Sequence, residues 1–211
     1  MVERPLETAE VDARLRAAGV ERDAACVAAL TLYLNLVSRW NRVHNLTGAR
    51  GNRELLDRHL VESLALEPLL LGHRVADVGS GAGFPGVPLA ICEPLRNFTL
   101  IESRAKRVNF LRHVVATLAL QNVVVAKTRA EDLTQQPPFD TVLARAVARP
   151  AKLLEIVGPL MTEGSILLLL TSSELAKSLQ EPVAGFVLRP ATVRVPLPSA
   201  VVRLERRGTW A

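Results

Sequence analysis

The chain has 211 residues, 49% of them apolar, enough for one α/β domain with an extension and too few for two full domains. Lys and Arg number 26 against 21 Asp and Glu, a net charge of +5 that suits a phosphate-rich partner but is also ordinary solubility charge; the 4% aromatic content argues against a stacking platform for single-stranded nucleic acid. Cys26 and Cys92 are the only cysteines and have neither metal-ligand spacing nor a disulfide framework, no apolar run approaches 18 residues, and the first residues lack a secretory pattern, so a soluble, reduced, cytoplasmic protein without metal is expected.

Residues 8–70 read as helices without strands. Leu30, Tyr33, Leu34, Val37 and Trp40 recur at helical spacing and mark an inward face; Leu56, Leu60 and Leu64 form a second stripe. Between them the polar stretch from Asn41 to Gly48 should stop the first helix. From Arg74 the texture changes, with strands near 75–78, 98–102, 123–126, 141–144 and 165–170 and helices near 85–92, 104–120, 149–159 and 174–181. Such alternation predicts right-handed crossovers and a parallel sheet covered on both faces, its strands written as continuous apolar runs. Two last β-rich runs, Phe186 to Val195 and Val201 to Arg206, flank Pro196-Leu197-Pro198-Ser199. That connection is too short for a crossover helix, so these strands should be antiparallel neighbours. The organisation expected is a helical extension, residues 1–72, packed on a core of residues 73–211, together one structural domain.

The most informative segment is Gly79-Ser80-Gly81-Ala82-Gly83-Phe84-Pro85-Gly86, set between the strand Val75-Ala76-Asp77-Val78 and a helix from Val87 to Cys92. A strand running through glycines into a helix lets backbone approach a nucleoside ligand. A second strand, Phe98 to Glu102, ends in a carboxylate about 20 residues later, where an acid takes ribose hydroxyls. An adenosine-containing cofactor is therefore expected. Gly81 to Gly86 formally matches G-x-G-x-x-G, which keeps a nicotinamide dehydrogenase open; the extra Gly79, the acid Asp77 before it and the C-terminal hairpin speak against that reading.

Further segments follow in order: Trp40-Asn41-Arg42-Val43-His44-Asn45-Leu46-Thr47, Arg58-His59-Leu60-Val61-Glu62-Ser63-Leu64, Asp77 through Leu89, Glu102 through Leu111, Arg129-Ala130-Glu131, and Phe139 through Ala146. In these the chain resembles the class I S-adenosylmethionine-dependent methyltransferases. More narrowly it resembles the bacterial 16S ribosomal RNA guanine-N7 methyltransferases, the glucose-inhibited division protein B family. The likeness covers about residues 30–182, and Gly83-Phe84-Pro85-Gly86 and the Trp-Asn…Asn-Leu-Thr segment are its most specific pieces. It departs at Glu62-Ser63, where the family usually has Asp-Ser, and at Thr171-Ser172, where a Lys-Gly pair is common and could add a basic contact to substrate.

The resemblance implies a Rossmann-like fold, a mostly parallel sheet with an antiparallel C-terminal hairpin, and S-adenosylmethionine as cofactor. It further implies that Asp77, Gly79, Ser80, Gly81, Gly83 and Phe84 form the cofactor turn, that Glu102 with Ser103 takes the ribose, that Ala130 and Glu131 close over adenine, and that Arg145 points into the active site. Arg145 suits the methionine carboxylate, guanine O6 or a phosphate. Asn45, Thr47, His59 and Ser63 are candidates to frame the base, although His59 reads equally as an interface histidine. Arg39, Arg42, Arg53, Arg58, Arg104 and Arg107 are candidates for RNA contact, each reading more readily as a solvated helix-face charge.

Absences help choose the target atom. The fourth strand runs into Ala144-Arg145-Ala146 rather than the Asn/Asp-Pro-Pro-aromatic signature that holds an exocyclic amine, and neither cysteine lies where base-carbon methylation needs a nucleophile. Guanine N7 needs neither device: its in-plane lone pair carries no proton, so positioning and exclusion of water suffice. The expected activity is methyl transfer to N7 of a guanine in 16S ribosomal RNA, by a monomer acting on the RNA or on a small-subunit assembly particle. The alternatives are a methyltransferase of a small molecule or protein, and a non-catalytic RNA-binding relative.

Overall fold

The computed structural model describes residues 4–134, 136–145, 150–179, 185–193 and 197–208. The expected start at 149 and end at 180–181 of two helices, the far end of the Phe186 to Val195 run, Ala146 and Pro196 lie outside the described residues. Two helices open the fold, α1 (Thr8–Ala17) and α2 (Ala24–His44). The expected stripe is the buried face of α2: Leu30, Tyr33, Leu34 and Val37 are fully buried, and Trp40 packs 5.3 Å from Phe110. Asp23 caps the helix start by accepting the Cys26 N–H. The end is written by the polar stretch, where Asn45 turns left-handed (φ 47°) and Asn41 accepts the Thr47 N–H at 2.8 Å.

The second stripe lies on a helical rod of three pieces: α3 (Asn52–Glu54), a π-helical turn (Leu55–Leu60) and α4 (Val61–Leu64). Leu56, Leu60 and Leu64 are buried as expected, but the Val61 N–H reaches back five residues to the Leu56 carbonyl. A π-turn of this kind is rare and occurs frequently at functional sites.

Seven strands follow: β1 (Arg74–Val78), β2 (Asn97–Ile101), β3 (Val123–Ala126), β4 (Phe139–Arg145), β5 (Met161–Thr171), β6 (Phe186–Arg189) and β7 (Ala200–Arg206). Their order is β3-β2-β1-β4-β5-β7-β6. β1 to β5 run parallel, while β7 is antiparallel to β5 and, as their short connection requires, to β6. The remaining helices are α5 (Gly86–Cys92), α6 (Ala105–Thr117), α7 (Pro150–Val157) and α8 (Ser173–Ser178).

Several ends differ from expectation for local reasons. α6 stops at Thr117 rather than near 120 because Ala119 adopts φ 51°. β6 stops at Arg189, where Pro190 has no N–H to offer the ladder. β5 begins at Met161, four residues early, across an irregularity in its register with β4.

Both faces of the sheet are covered. On β5, Ile166, Leu168 and Leu170 join one core cluster with Leu15, Leu30, Tyr33, Leu60 and Phe110 from the helices; Leu167 and Leu169 join the other, with Leu154 and Val157 of α7. This period-two split of one apolar run is why the strand shows no polar alternation. The chain winds outward from β1 to β3 and then returns to β4, so β1 and β4 flank the point where the strand order reverses, the place where open α/β sheets bind ligands.

Candidate functional site

Register places the site. Val78 of β1 pairs with Ile101 on β2 and with Ala144 on β4, so the next residues, Gly79, Glu102 and Arg145, sit side by side at the carboxyl ends of adjacent strands. The N–H groups of Gly79 and Ser80 both donate to the Ile101 carbonyl, at 2.9 and 3.2 Å, which anchors the turn to β2.

Within the turn, Gly83 and Gly86 leave no room for a β-carbon. Gly83 has φ 97° and a β-carbon there would lie 2.6 Å from Val87 Cγ2; one at Gly86 would lie 2.6 Å from both Asp77 Oδ2 and Leu100 Cδ2. Asp77 is buried, and its Oδ2 accepts the Gly86 N–H at 3.1 Å while its carbonyl accepts the Ser80 hydroxyl at 2.8 Å. Burial pushes its carboxyl pKa up to about 7, against the opposing pull of the Gly86 N–H. Asp77 and Ser80 thus brace the turn from inside. Phe84 likewise faces inward, its ring centroid 5.1 Å from Tyr33 and 4.9 Å from His59, and the fully buried Tyr33 donates its hydroxyl to the Ala82 carbonyl at 2.8 Å.

Glu102 is buried at the tip of β2. Its Oε2 accepts the Gly81 N–H at 3.1 Å and its Oε1 the Arg104 N–H at 2.8 Å, so each oxygen keeps a lone pair for another donor. Arg107 lies 3.6 Å from the same carboxylate, which assigns this arginine to Glu102 rather than to a free RNA-facing surface. Beside Glu102 opens a cavity of about 200 Å³ whose walls include Gly79, Ile101, Ser103, Ala130, Glu131 and Ile156. Ala130 is buried at the start of a 3₁₀ turn (Ala130–Asp132), whereas Ser103 and Glu131 are exposed at the rim.

Past the end of β4 the neighbourhood is built from side chains. Arg145, the last residue of β4, donates from Nη2 to Glu62 Oε2 at 2.8 Å, and both Nη atoms lie 3.3 Å from the Arg58 carbonyl. Burial lowers the Arg145 pKa, and the adjoining Glu62 charge opposes that. His59, on the π-turn, is half-buried against Phe84 and its Nδ1 has no hydrogen-bond partner among the described residues. Burial, reinforced by the Arg145 and Arg58 charges, lowers its pKa to about 4, so the ring is neutral at physiological pH.

The other base-framing candidates are differently placed. The Ser63 hydroxyl donates to the His59 carbonyl at 2.5 Å, and Thr47 Oγ1 accepts the Ala49 N–H at 3.0 Å, so both are occupied in local structure. Asn45 is exposed at the end of α2 and, among the described residues, makes no hydrogen bond to His59, Glu62 or Arg145. Arg39, Arg42 and Arg104 are exposed, while Arg53 and Arg58 pair with Asp57 and Glu54 along their own rod. Sequence reasoning missed Tyr33, Glu62 and Ile156 as parts of the site. Glu62 carried a signal: a carboxylate set among Leu60, Val61 and Leu64 in an apolar stripe must find a partner.

A model of the family described as rRNA small subunit methyltransferase G matches residues 27–193. The chain belongs to this family. The Ribosomal RNA small subunit methyltransferase G of Pectobacterium atrosepticum is 43% identical over 138 residues, 65% of this chain and 67% of that one. Its counterpart in Stenotrophomonas maltophilia strain K279a is 39% identical over 170 residues, 81% of this chain and 80% of that one. The fold is shared with a solved MtNAS mutant in complex with S-adenosylmethionine, at TM-score 0.57 and 15% identity over 98% of this chain and 86% of that one. The residues matched by the rRNA small subunit methyltransferase G family include the glycine turn, Glu62, Glu102 and Arg145.

Proposed function

We propose that the protein transfers the methyl group of S-adenosylmethionine to N7 of a guanine in 16S ribosomal RNA. The observation that carries this reading is the register setting Gly79, Glu102 and Arg145 side by side at the carboxyl ends of β1, β2 and β4, in a chain of this family. The residues present fit the cofactor. Glu102 has lone pairs left for two ribose hydroxyls, and Ile101, Ala130 and Ile156 supply an apolar slot for a purine beside it. The cofactor supplies a methyl group on a cationic sulfur, open to in-line attack.

Transfer to N7 asks for positioning rather than proton removal, and the transfer side is built accordingly. His59 is neutral and aromatic-packed, suited to bordering a base. Among the described residues, Arg145 keeps Nε and one Nη1 hydrogen after its bonds to Glu62 and Arg58, enough for guanine O6, a phosphate or the methionine carboxylate. Arg145 cannot donate to N7 itself in the reactive complex, because that lone pair attacks. Asn45 is the exposed candidate to border the RNA, and the exposed Arg39, Arg42 and Arg104 are candidates for phosphate contact. The protein acts in the cytoplasm as a monomer, on 16S RNA alone or in an assembling small subunit.

The deciding experiment maps N7-methylguanine in small-subunit ribosomal RNA from cells with and without the gene. One guanine losing its methyl group is expected; an unchanged map overturns the assignment. Thermal shift separates the cofactor classes: S-adenosylhomocysteine should raise the melting temperature and NAD should not.

A further inference from the structure

Glu62 has no solvent exposure, yet both its oxygens are engaged. Oε2 accepts Arg145 Nη2 at 2.8 Å, and Oε1 accepts the Ser199 backbone N–H at 2.9 Å, joining segments 83 and 137 residues away in sequence. The same helical rod offers Arg145 a second acceptor, the Arg58 carbonyl. The guanidinium is therefore fixed in orientation by two acceptors before any substrate arrives, which spares the rotamer entropy a free arginine would lose on binding. We infer that Glu62 is the positioning residue of Arg145, with the Ser199 connection holding the carboxylate from behind. This rests on the reading of Arg145 as a transfer-site residue.

The test is a double-mutant cycle on purified protein, using labelled S-adenosylmethionine and 16S RNA. Arg145→Ala lowers either the single-turnover rate or the affinity for S-adenosylhomocysteine. Glu62→Gln, which keeps the shape and removes the charge, lowers the same quantity by about tenfold. The double variant should be no worse than Arg145→Ala alone. Glu62→Asp retains the charge and should recover part of the loss; it also serves if Glu62→Gln fails to fold. Effects that multiply in the double variant, or a Glu62→Gln protein with a lower melting temperature but wild-type rate and affinity, overturn the inference. If Arg145→Ala is itself wild-type in both quantities, the reading of Arg145 falls and this inference falls with it.

A second, independent observation concerns the two cysteines. Cys26 in the first turn of α2 and Cys92 at the end of α5 place their sulfurs 3.1 Å apart, each half-buried, both reduced. We propose that this pair is a site of oxidation by hydroperoxides. The Cys26 thiolate attacks the O–O bond of hydrogen peroxide, giving a sulfenic acid and, after protonation, water; the Cys92 sulfur then displaces the hydroxyl as a second water. Two thiols and one peroxide thus become one disulfide and two waters. The Cys92 thiol's hydrogen bond to Cys26 holds the Cys26 pKa down, with the Arg22 charge adding to it and burial and Asp23 opposing.

The product would tie α5, which starts at the cofactor turn, to α2. One equivalent of hydrogen peroxide should remove both titratable thiols with an intact-mass loss of two hydrogens, reversed by dithiothreitol, and digestion should yield the cross-linked pair of peptides. Cys92→Ser should instead leave Cys26 as a trappable sulfenic acid. Retention of both thiols, or an added-oxygen mass in place of the cross-link, overturns the proposal.

Discussion

The proposed cofactor side of the site, residues 77–86 and 102–104, is held mainly by backbone amides of neighbouring segments, whereas the proposed transfer side draws Glu62, Arg145 and Ser199 from distant parts of the chain. The first is held largely by bonds between β1, the turn and the end of β2, with Gly86 on Asp77, Gly81 on Glu102 and Ser80 on its own strand, and the Tyr33 hydroxyl ties it to α2. The second exists only when the helical rod, β4 and the connection before β7 have docked. Damage to the first should therefore appear in cofactor affinity, and damage to the second in transfer and stability together.

The largest expected effect is on the transfer side. Arg145→Ala should lower methyl transfer by about two to three orders of magnitude, as expected for losing a positioned charged donor. It should also cost about 3–5 kcal/mol of stability, because Glu62 is left as an unpaired buried carboxylate. Arg145→Lys should rescue poorly, since an ammonium cannot span Glu62 and the Arg58 carbonyl in a plane. Single-turnover kinetics and thermal melts on one preparation check both, and wild-type turnover together with wild-type S-adenosylhomocysteine affinity would remove Arg145 from the site.

Next comes Asp77, the brace of the cofactor side, whose folded pKa of about 7 stands above its ordinary carboxylate value. A raised folded pKa means the native state keeps a proton that the unfolded chain loses near pH 4. Its contribution is fully present below about pH 4 and is lost as pH rises toward 7, at on the order of 1 kcal/mol per pH unit. Asp77→Asn should flatten that part of the stability profile and be relatively more stable than the parent above pH 7. Denaturant melts at four pH values between 4.5 and 8 check this; parallel profiles for the two proteins would contradict the placement of Asp77.

Glu102→Ala should weaken S-adenosylhomocysteine binding by about 1.5–3 kcal/mol, one to two decades in Kd, since a ribose acceptor is lost and the Gly81 N–H loses its partner. Calorimetry measures it, and unchanged affinity would take Glu102 out of the site. Tyr33→Phe should have the smallest effect, about 1 kcal/mol of stability for the lost bond to the Ala82 carbonyl, with cofactor affinity near wild type. An affinity loss as large as that of Glu102→Ala would show that the turn depends on α2 as much as on its own local bonds, and would erase the contrast between the two sides.

Much of this architecture is local in origin and could be read in one dimension. The strand-glycine-helix passage from Asp77 to Gly86, the carboxylate at Glu102, the apolar runs of β1 to β5 and the α2 stripe each express a constraint acting over a few residues. Even the antiparallel turn-back of β6 and β7 follows from a connection too short for a helix. The misses share one cause. Helical spacing at Leu56, Leu60 and Leu64 signals a buried face but does not distinguish an α-turn from the π-turn that carries Arg58 and His59. Nor does the glycine turn's sequence reveal that the side chains of Phe84 and Ser80 turn inward to Tyr33, His59 and β1.

By itself the sequence determined the alternation of elements, the position of the glycine turn and the carboxylate beside it, because backbone conformation and hydrophobic period act between near neighbours. Only the tertiary structure decided that Glu62 holds Arg145, that Arg107 turns to Glu102 and that Cys26 meets Cys92. Those pairings are chosen by burial: a charge or thiol removed from water takes the partner that packing brings to it, and sequence separation does not enter.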